Sequence, residues 1–507
     1  MFADTLLSKA KRIASIGVIA GVAAISSAHV GSPNVVFDGN AGPYAVRVVV
    51  KPPEVVPGLA DVIVRIGGAN ANDVQRVMIR PVFWRAGEKG APAGDEAPRV
   101  AGQQSVYTGR LWLMSRGSYS VYVTVNGPRG SGTAIVPVNA FATGRLALSP
   151  GLAGTLIALA GVLFVGLVTI VRAAAGESLV APGERIDPKR RRTANVTALV
   201  FAPLLAIVLF GGAKWWKSVD ADYSRTMFRP PEATPTISAD RTLSLTLRDT
   251  AAFRALFSAV IPDHGKMMHL FLIKDGDMSA FVHLHPVQTE SYGFTTTVPD
   301  VPPGRYRLFG DVTLENGTSL TVTNTVELPA VVGKAPSPRD PDDSWSVNAP
   351  IAHISPTASV LLDDGKHTMT WVGTASPLVA NQPVDLSFLV KNSDNSAATL
   401  QPYLGMSAHA VVMRDDASVF IHLHPMGTIS TASQQVFALR DRGDTTAAGH
   451  LNLDSTSAHA MEGMSAMPSS GAFTIPYDFP KSGHYRMWVQ VKADNRVLTG
   501  TFDAVVR

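Results

Sequence analysis

Histidine pairs in the pattern His-x-His-Pro occur twice in the chain, and they are the residues best suited to metal chemistry. The stretch FVHLHP spans residues 281–286, and FIHLHP spans residues 420–425. Each pair ends an apolar run in which alternate side chains of a β-strand lie on the same face. Imidazole is a common ligand of copper and zinc, so the pattern predicts a metal site. A hydrogen-bonded structural strand end is the alternative interpretation of either motif alone.

A third histidine stands one strand before the first pair. His269 begins the run HLFLI, the turn sequence KDGDMS follows, and AFVHLH returns. Aspartate and glycine are typical turn residues, so the segment predicts a hairpin centred on Asp277. Its antiparallel pairing places His269 opposite His285 and His283 opposite Phe271, with all four side chains on one face.

The second hairpin keeps this arrangement although its turn is one residue shorter. Its expected pairing places His409 opposite His424 and His422 opposite Val411. A shift of one residue normally moves the side chains of a strand to the other face, so the preserved set of three histidines is informative. Directly opposed Cβ atoms are about 4.5–5.5 Å apart, which lets imidazoles converge on one ion. We therefore expect one three-histidine site on each hairpin.

Two methionines extend these faces with thioether sulfur. Met267 shares the face of His269, and Met426 follows His424 at the same alternation. Thioethers favour Cu(I), whereas imidazole also suits Cu(II) and zinc. The chain has no cysteine, so histidine, methionine and carboxylate are the remaining metal ligands. Copper, as Cu(I) or Cu(II), is the expected metal, and zinc is the alternative.

The two histidine regions correspond to each other beyond these motifs. GKMMH at 265–269 corresponds to GMSAH at 405–409. Further on, FTTTVPDVPPGRYRLFGDV at 294–312 corresponds to FTIPYDFPKSGHYRMWVQV at 473–491. Together with the His-x-His-Pro strands, these are three matched blocks in the same order. They indicate an internal repeat that arose by duplication of one domain.

Accessory ligands are expected outside the two hairpins. All 13 histidines except His29 follow residue 260. His264 is expected to join the first site through its loop. The second repeat also carries an insertion, HAMEGMSAM, that suits either a loop for copper capture or an ordinary polar loop. Its ligands are His459, Met461, Met464 and Met467.

The N-terminus has the pattern of a secretory signal peptide. A basic start precedes the apolar run IASIGVIAGVAAI, and small residues follow up to Ala28. Cleavage after Ala28 would make His29 the first residue, whose amine and imidazole together chelate Cu(II); an uncleaved anchor is the alternative. Such a start resembles copper-resistance β-domains of the CopC type and copper mono-oxygenases. A complete site of that kind needs a further histidine, and residues 30–150 contain none.

Two later segments have the length and composition of transmembrane helices. Residues 152–171 and 194–213 each comprise twenty residues without a charge, which suffices for a hydrocarbon core of about 30 Å. The loop between them is rich in arginine and lysine, and this predicts a cytoplasmic loop. Trp215 and Trp216 suit the opposite interface. Both flanking portions are therefore expected outside the cytoplasm.

The expected fold is mainly β, with three antiparallel β-sandwich (Ig-like) domains. Strand-like runs rich in β-branched and aromatic residues, separated by glycine and proline clusters, are typical of such domains. The expected order is a signal peptide at 1–28, a β-sandwich at 29–145, a transmembrane hairpin at 150–216, a linker at 217–238, a first histidine domain at 239–330, a linker at 331–350 and a second histidine domain at 351–507.

The second repeat carries a motif that resembles one found in exported bacterial proteins. The block QPYLGMSAHAVVMRDDASVFIHLHP at 401–425 combines a Pro-Tyr-Leu-Gly segment, a histidine strand and His-x-His-Pro. The first repeat departs from it, with VIPDHGKMMH in place of that segment. The N-terminal AHVGSP and AGPYAVRVVV are similar to YtkA-like or FixH-like domains. The resemblance implies β-sandwich folds and metal binding, and it implies no catalysed reaction. The signal peptide and the basic loop together predict that the β-domains lie on the periplasmic side of a bacterial inner membrane.

These observations predict a membrane-anchored, extracytoplasmic copper-binding protein that buffers, delivers or senses the metal. A cuproenzyme or a copper transporter would be its partner. An envelope scaffold with structural histidines is one alternative, and a copper oxidase is another. The sequence contains no phosphate loop, cofactor motif or catalytic triad pattern that indicates an enzyme. A net charge of +4 does not indicate the basic surface that nucleic-acid binding requires.

Overall fold

The computed structural model shows a mainly β chain in which helices interrupt antiparallel sheets. The predicted signal peptide at 1–28 and the Met/His-rich insertion at 459–467 lie outside the residues that it describes. The described residues are 29–30, 34–68, 71–181, 183–229, 231–247, 259–290, 292–331, 340–351, 358–373, 377–446, 450–452 and 470–507.

The N-terminal region contains two four-stranded sheets that share one hydrophobic core. The sheet orders are β2-β3-β4-β7 and β6-β5-β8-β9. Valines at alternate positions, such as Val48 and Val121, fill the core between them, as the two-residue period of a strand requires. The strands are β1 His29–Val30, β2 Val35–Ala41, β3 Tyr44–Lys51, β4 Gly58–Ile66, β5 Arg76–Phe83, β6 Asp95–Glu96, β7 Val106–Leu113, β8 Gly117–Gly127 and β9 Gly130–Ala140.

Two apolar helices follow, α1 Pro150–Glu177 and α2 Pro188–Arg225. Each begins with a proline, which suits the first helical position, behind a capping Ser149 or Asp187. Their most apolar windows have mean hydropathies of 2.5 and 2.3, and none of either window is buried in the chain. Both helices are long and apolar enough to cross a membrane. Helix α2 continues beyond the predicted span, so the first part of the expected linker at 217–238 is helical.

The first histidine domain has two sheets, β10-β11-β16-β15 and β12-β17-β13-β14-β19, with β18 paired to β17. Strand β19 lies inside the expected linker at 331–350 and pairs with β14, so this linker is partly strand. The strands are β10 Ala233–Ile237, β11 Thr242–Leu247, β12 Val260–Ile261, β13 His269–Lys274, β14 Ala280–Leu284, β15 Val287–Glu290, β16 Gly293–Thr297, β17 Gly304–Leu314, β18 Ser319–Leu328 and β19 Ser344–Val347.

The second histidine domain repeats this plan and adds a helix. Its sheets are β20-β21-β22-β25 and β1-β24-β23-β26-β27, in which the N-terminal β1 pairs in parallel with β24. The elements are β20 Ser359–Leu361, β21 Thr368–Val372, β22 Pro383–Lys391, β23 His409–Arg414, β24 Val419–Leu423, α3 Thr431–Arg442, β25 Ala472–Asp478, β26 Gly483–Ala493 and β27 Arg496–Val506.

Both histidine hairpins pair in the predicted registers. Strands β13 and β14 place Phe271 opposite His283, and β23 and β24 place Val411 opposite His422. The histidines of each hairpin therefore lie on the predicted common face. That prediction is confirmed for both repeats.

The two histidine sheets pack against each other through these faces. Phe309 stacks on Phe420 at 3.9 Å, and Phe281 stacks on Trp488 at 4.9 Å. The repeat alignment equates Phe281 with Phe420 and Phe309 with Trp488, so the two stacks are equivalent contacts made in opposite directions. The repeats are therefore related by an approximate twofold arrangement, and each side of the interface contributes its histidines to the same buried layer.

Helix α3 connects all three β regions. The amide of Gln434 donates to the carbonyl of Ile135 at 2.7 Å, and the hydroxyls of Ser433 and Ser319 are 2.8 Å apart. The described residues of the first repeat contain no equivalent helix, and sequence patterns did not predict it. It fixes the N-terminal region against the histidine domains.

Candidate metal centre

Seven histidines meet at the interface between the two histidine sheets. Neighbouring ring centroids in this group are 4.5–6.3 Å apart. The two sites expected on separate domains are thus parts of one histidine cluster, because the faces that carry them pack together. Six members are buried, with 7% exposure or less. The members are His264, His269, His283, His285, His409, His422 and His424.

The first triad consists of His269, His283 and His285, as predicted for the first hairpin. One ring nitrogen from each lies within 4.8 Å of the others. Nδ1 of His285 is 3.1 Å from a carboxylate oxygen of Asp343, and Nδ1 of His283 is 2.8 Å from Oε1 of Gln490. Since Gln490 belongs to the other repeat, the first triad is oriented by both domains.

The second triad consists of His264, His409 and His424. His264 was expected to join the first site, and the structure places it nearer the second hairpin. Its ring centroid lies 5.5 Å from His409 and 5.1 Å from His424, against 6.3 Å from His269. The second triad therefore combines two histidines from its own hairpin with one from the first repeat.

A tight turn explains the position of His264. Asp263 and Lys266 exchange two backbone hydrogen bonds, of 2.9 and 3.0 Å, across His264 and Gly265. Both central residues have positive φ, 52° and 77°, as a type I′ turn requires. Histidine enters this region more readily than most residues. The turn carries the imidazole away from β13 and towards the opposite repeat.

The equivalent turn of the second repeat reaches back in the same way. Leu404 has a φ of 50° at the position of His264. The preceding residue, Tyr403, places its hydroxyl 3.2 Å from Nδ1 of His283. Each turn thus supplies a side chain to the other repeat, but only the first supplies an imidazole. The difference arises because the first repeat has the sequence VIPDHG, with His264, where the second repeat has Pro-Tyr-Leu-Gly, with Leu404.

His422 lies between the triads and, within the described residues, belongs to none of the three metal-compatible groups, the third of which joins His285 with Asp340 and Asp343. Its ring centroid is 5.2 Å from His269, 5.4 Å from His409 and 4.5 Å from His424. Its Nδ1 is 3.4 Å from Oδ2 of Asp311. His422 was predicted to complete the second site, and the structure places its ring between the two triads, with His264 beside His409 and His424.

The cluster contains ring nitrogens that are buried without a hydrogen-bond partner in the described part of the chain. Leaving a buried polar atom unpaired costs about 1–3 kcal/mol. On three of these rings an oxygen acceptor lies near Nδ1 while Nε2 stays free, which is how proteins orient imidazoles for metal binding. The acceptors belong to Asp343, Asp311 and Ile429. The unpaired atoms are Nε2 of His285, His422 and His424, and both ring nitrogens of His409.

Burial also favours the neutral form of five of the imidazoles. Desolvation, followed by the neighbouring histidines, lowers the pKa of His269, His283, His409 and His422 well below the ordinary value. Desolvation lowers the pKa of His424 to about 4. Neutral imidazole is the form that ligates a metal. Burial raises the pKa of Asp311 to about 7.

The predicted methionine ligands have other contacts. Met267 packs against the core of the first histidine domain. Met426 packs against the N-terminal core, and its sulfur accepts a hydrogen bond from Thr431 at 3.6 Å. The backbone of His29 pairs with Val419. His459, Met461, Met464 and Met467 lie outside the described residues. Among the described residues, the atoms that converge in the two triads are imidazole nitrogens, with the carboxylates of Asp340 and Asp343 beside His285.

Sequence reasoning missed the residues that hold the imidazoles. Asp311 and Gln490 occupy the same position in the matched blocks GRYRLFGDV and GHYRMWVQV. Each contacts a histidine of the opposite repeat, Asp311 with His422 and Gln490 with His283. A polar residue inside an otherwise apolar strand was the available signal. Asp343 had no comparable signal, because it lies in the segment at 331–350 that was predicted to be a linker.

A family model matches both histidine domains. Its description is Domain of unknown function (DUF8832), and it matches residues 221–330 and 360–507, just over half of the chain. The chain belongs to this family. The DUF8832 segments contain all seven histidines of the cluster, whereas Asp343 lies between them. Membership assigns no activity.

Solved structures resemble the chain weakly. The FN1–FN3 domains of chicken CNTN1 align over 90% of this chain and 97% of that chain at 7% identity, with a TM-score of 0.15. A tetra-tandem repeat from the extending region of a large adhesion protein aligns over 94% and 93% at 9% identity, also with a TM-score of 0.15. Scores this low carry no argument about fold or function. No curated protein gives a significant match.

Proposed function

We propose that this chain is a membrane-anchored, extracytoplasmic protein that binds copper at two imidazole sites and thereby buffers, delivers or senses the metal. The observation that carries the proposal is the set of five buried, unpaired ring nitrogens within the described residues. Metal ligation would offset the cost of burying them. The oxygen acceptors near the opposite ring nitrogens of His285, His422 and His424 add support, since they orient the free nitrogens inward.

The donor set favours Cu(II). Imidazole suits Cu(II) and zinc, and divalent affinities rise to a maximum at copper. The thioethers of Met267 and Met426, which would favour Cu(I), have contacts outside the triads. We therefore place Cu(II) first and zinc second. No catalysed reaction is part of the proposal.

The proposed architecture is three antiparallel β-sandwich (Ig-like) domains on the periplasmic side of a bacterial inner membrane. Support comes from the three regions of paired sheets, each with its own core. Helix α2 begins, directly after the loop that joins it to α1, with Lys189 and three arginines. This positive charge favours a cytoplasmic position for the loop. A cuproenzyme or a copper transporter in the same membrane is the proposed partner.

Copper titration of the full-length chain tests the proposal. The protein is purified in detergent without a histidine tag and titrated separately with Cu(II) and Zn(II). We expect two tightly bound copper ions per chain, and one in each of the variants His285→Ala and His424→Ala. His450→Ala is the matched control, because that side chain is 70% exposed and outside the cluster; it should keep both ions.

Two other results have distinct meanings. Absence of tight binding in the unchanged chain would favour the envelope scaffold, with structural histidines. Oxygen consumption by a copper-loaded sample that contains only a reductant would instead favour the oxidase.

A further inference from the structure

A cavity of about 270 Å³ lies where the N-terminal region meets both histidine domains. Its lining includes His269, His422 and His424, which are buried. It also includes Glu54 and Thr143, which are exposed. The cavity therefore connects the protein surface with the histidine cluster.

The lining suits a cation. The carboxylates of Asp263 and Asp311 contribute to it. The ammonium group of Lys266 is paired with Asp340 at 2.6 Å and with Asp342 at 3.3 Å, so its charge is neutralised locally. Acidic clefts raise the local concentration of cations. Hydroxyl groups line part of the wall, on Thr313, Ser319, Thr321, Ser430 and Ser433, and apolar side chains such as Val138, Phe141 and Leu320 line the rest.

His422 is placed to pass an ion inward. Its Nδ1 faces Asp311 at 3.4 Å. Its Nε2 is buried without a partner in the described residues, and the ring adjoins both triads. The two ring nitrogens of His422 thus face in different directions. Nδ1 faces the carboxylate of Asp311 at the cavity, and Nε2 faces the interior of the cluster.

The opposite side of the cluster is closed. At the position equivalent to Asp311, Gln490 has 0% exposure and bonds to both His283 and Ser344. Gln490 does not line the cavity. The two repeats therefore match in their hairpin histidines but differ in their exposure to the cavity. The side with Asp311 is open to the cavity, and the side with Gln490 is not.

We propose that this cavity is the route by which a divalent metal ion reaches the cluster, and that Asp311 and His422 transfer the ion to the triads. The inference rests on the proposed function. The outer rim adjoins the ends of the two apolar helices that connect to the β domains. Phe141, which precedes α1, and Phe228, which follows α2, stack there with their ring centroids 4.2 Å apart. The route thus opens at the end of the β domains nearest the helices.

Rapid mixing of the full-length chain with Cu(II) tests the route. Quenching of tryptophan fluorescence reports loading, since Trp488 is buried in the interface that carries the histidines. The variants are Asp311→Asn, which removes the inner carboxylate, and Thr143→Phe, which narrows the exposed rim without adding a tryptophan. We expect each to load about tenfold more slowly while binding the same number of copper ions at equilibrium. Glu327→Gln removes an exposed carboxylate from the same domain and should load at the unchanged rate.

The outcomes separate the route from the binding function. Unchanged loading rates in both variants would overturn the route while leaving copper binding intact. Loss of a copper ion at equilibrium in Asp311→Asn would also overturn it, because Asp311 would then be a resident ligand. Failure of the unchanged chain to bind copper would refute the proposed function itself.

Discussion

At the residue scale, the cluster combines buried imidazoles with ring nitrogens that lack partners among the residues that the structure describes. Desolvation accounts for the lowered pKa values, and crowding by neighbouring rings adds to it. A protein core gains nothing from this arrangement unless another group satisfies the nitrogens. The oxygen acceptors near Nδ1 of His285, His422 and His424 hold these rings in orientations that leave Nε2 free.

Removing one of these acceptors should weaken one site. Asp343→Asn takes the carboxylate from His285, which it holds through both the ring and the backbone N–H. Loss of such a partner typically lowers metal affinity about 10–100-fold. We expect calorimetry to show this loss for one copper ion and no change for the other. Asp364→Asn is the control, because it removes the carboxylate of the His367 pair outside the cluster. Equal affinities in all three proteins would contradict the assigned role of Asp343.

The metal-free protein should lose stability as the pH falls. The unfolded chain takes up protons on histidine below about pH 6.5, whereas burial lowers the pKa of His424 to about 4 and lowers the pKa of four other rings of the cluster, His269, His283, His409 and His422, well below the ordinary value. Stability is therefore present above pH 6.5 and is lost below it, by about 1.4 kcal/mol per pH unit for each histidine. Asp311, with its pKa raised to about 7, acts in the opposite direction as a single group.

Thermal unfolding followed by near-UV circular dichroism between pH 7.5 and pH 4.5 checks this slope. His409→Leu should flatten it, since both nitrogens of that ring are buried and unpaired in the described residues. His450→Gln, at an exposed position, should leave it unchanged. An unfolding midpoint independent of pH would show that the cluster is hydrated.

At the element scale, two-residue turns decide which histidines meet. Hairpin register followed from alternation and turn length, so the sequence was sufficient to predict the pairing of Phe271 with His283 and of Val411 with His422. It was insufficient for His264, whose direction depends on backbone φ of 52° in a type I′ turn. Helix α3 was also missed, because its apolar residues form a small separate cluster with Ile261 and Leu451 rather than joining one of the domain cores.

Replacing His264 should remove only the second triad. Asparagine also tolerates positive φ, so His264→Asn should keep the turn while removing the imidazole. We expect bound copper, measured by atomic absorption after dialysis, to fall from two ions per chain to one. Leu404→Asn alters the equivalent turn of the other repeat, where no imidazole is supplied, and should retain two. Two copper ions in His264→Asn would exclude His264 as a ligand.

At the scale of the whole molecule, the centre exists only because the repeats face each other. Sequence analysis placed one site on each domain, since nothing in a single strand pattern reveals which outer faces pack together. The observed packing depends on large aromatic side chains, with Phe309 against Phe420 and Phe281 against Trp488. Apolar residues on the outer face of a histidine strand were the available sign of a buried interface.

Weakening this interface should affect both sites at once. Phe420→Ala removes the stacking partner of Phe309 and should destabilise the fold by about 3–5 kcal/mol. Phe388→Ala removes a similarly buried ring from the core of the second histidine domain and should cost a similar amount. Titrated with Cu(II) well below their melting temperatures, only Phe420→Ala should bind both ions more weakly. Equal copper affinity in the two variants would mean that each triad assembles independently of the interface.

The central claim is that two metal ions lie in one composite cluster, and anomalous diffraction at the copper edge tests it most directly. Crystals of the full-length chain loaded with Cu(II) should show two peaks. One should lie among His269, His283 and His285, and the other among His264, His409 and His424. Copper found only at the Met/His-rich insertion at 459–467, or no copper within the cluster, would contradict the account.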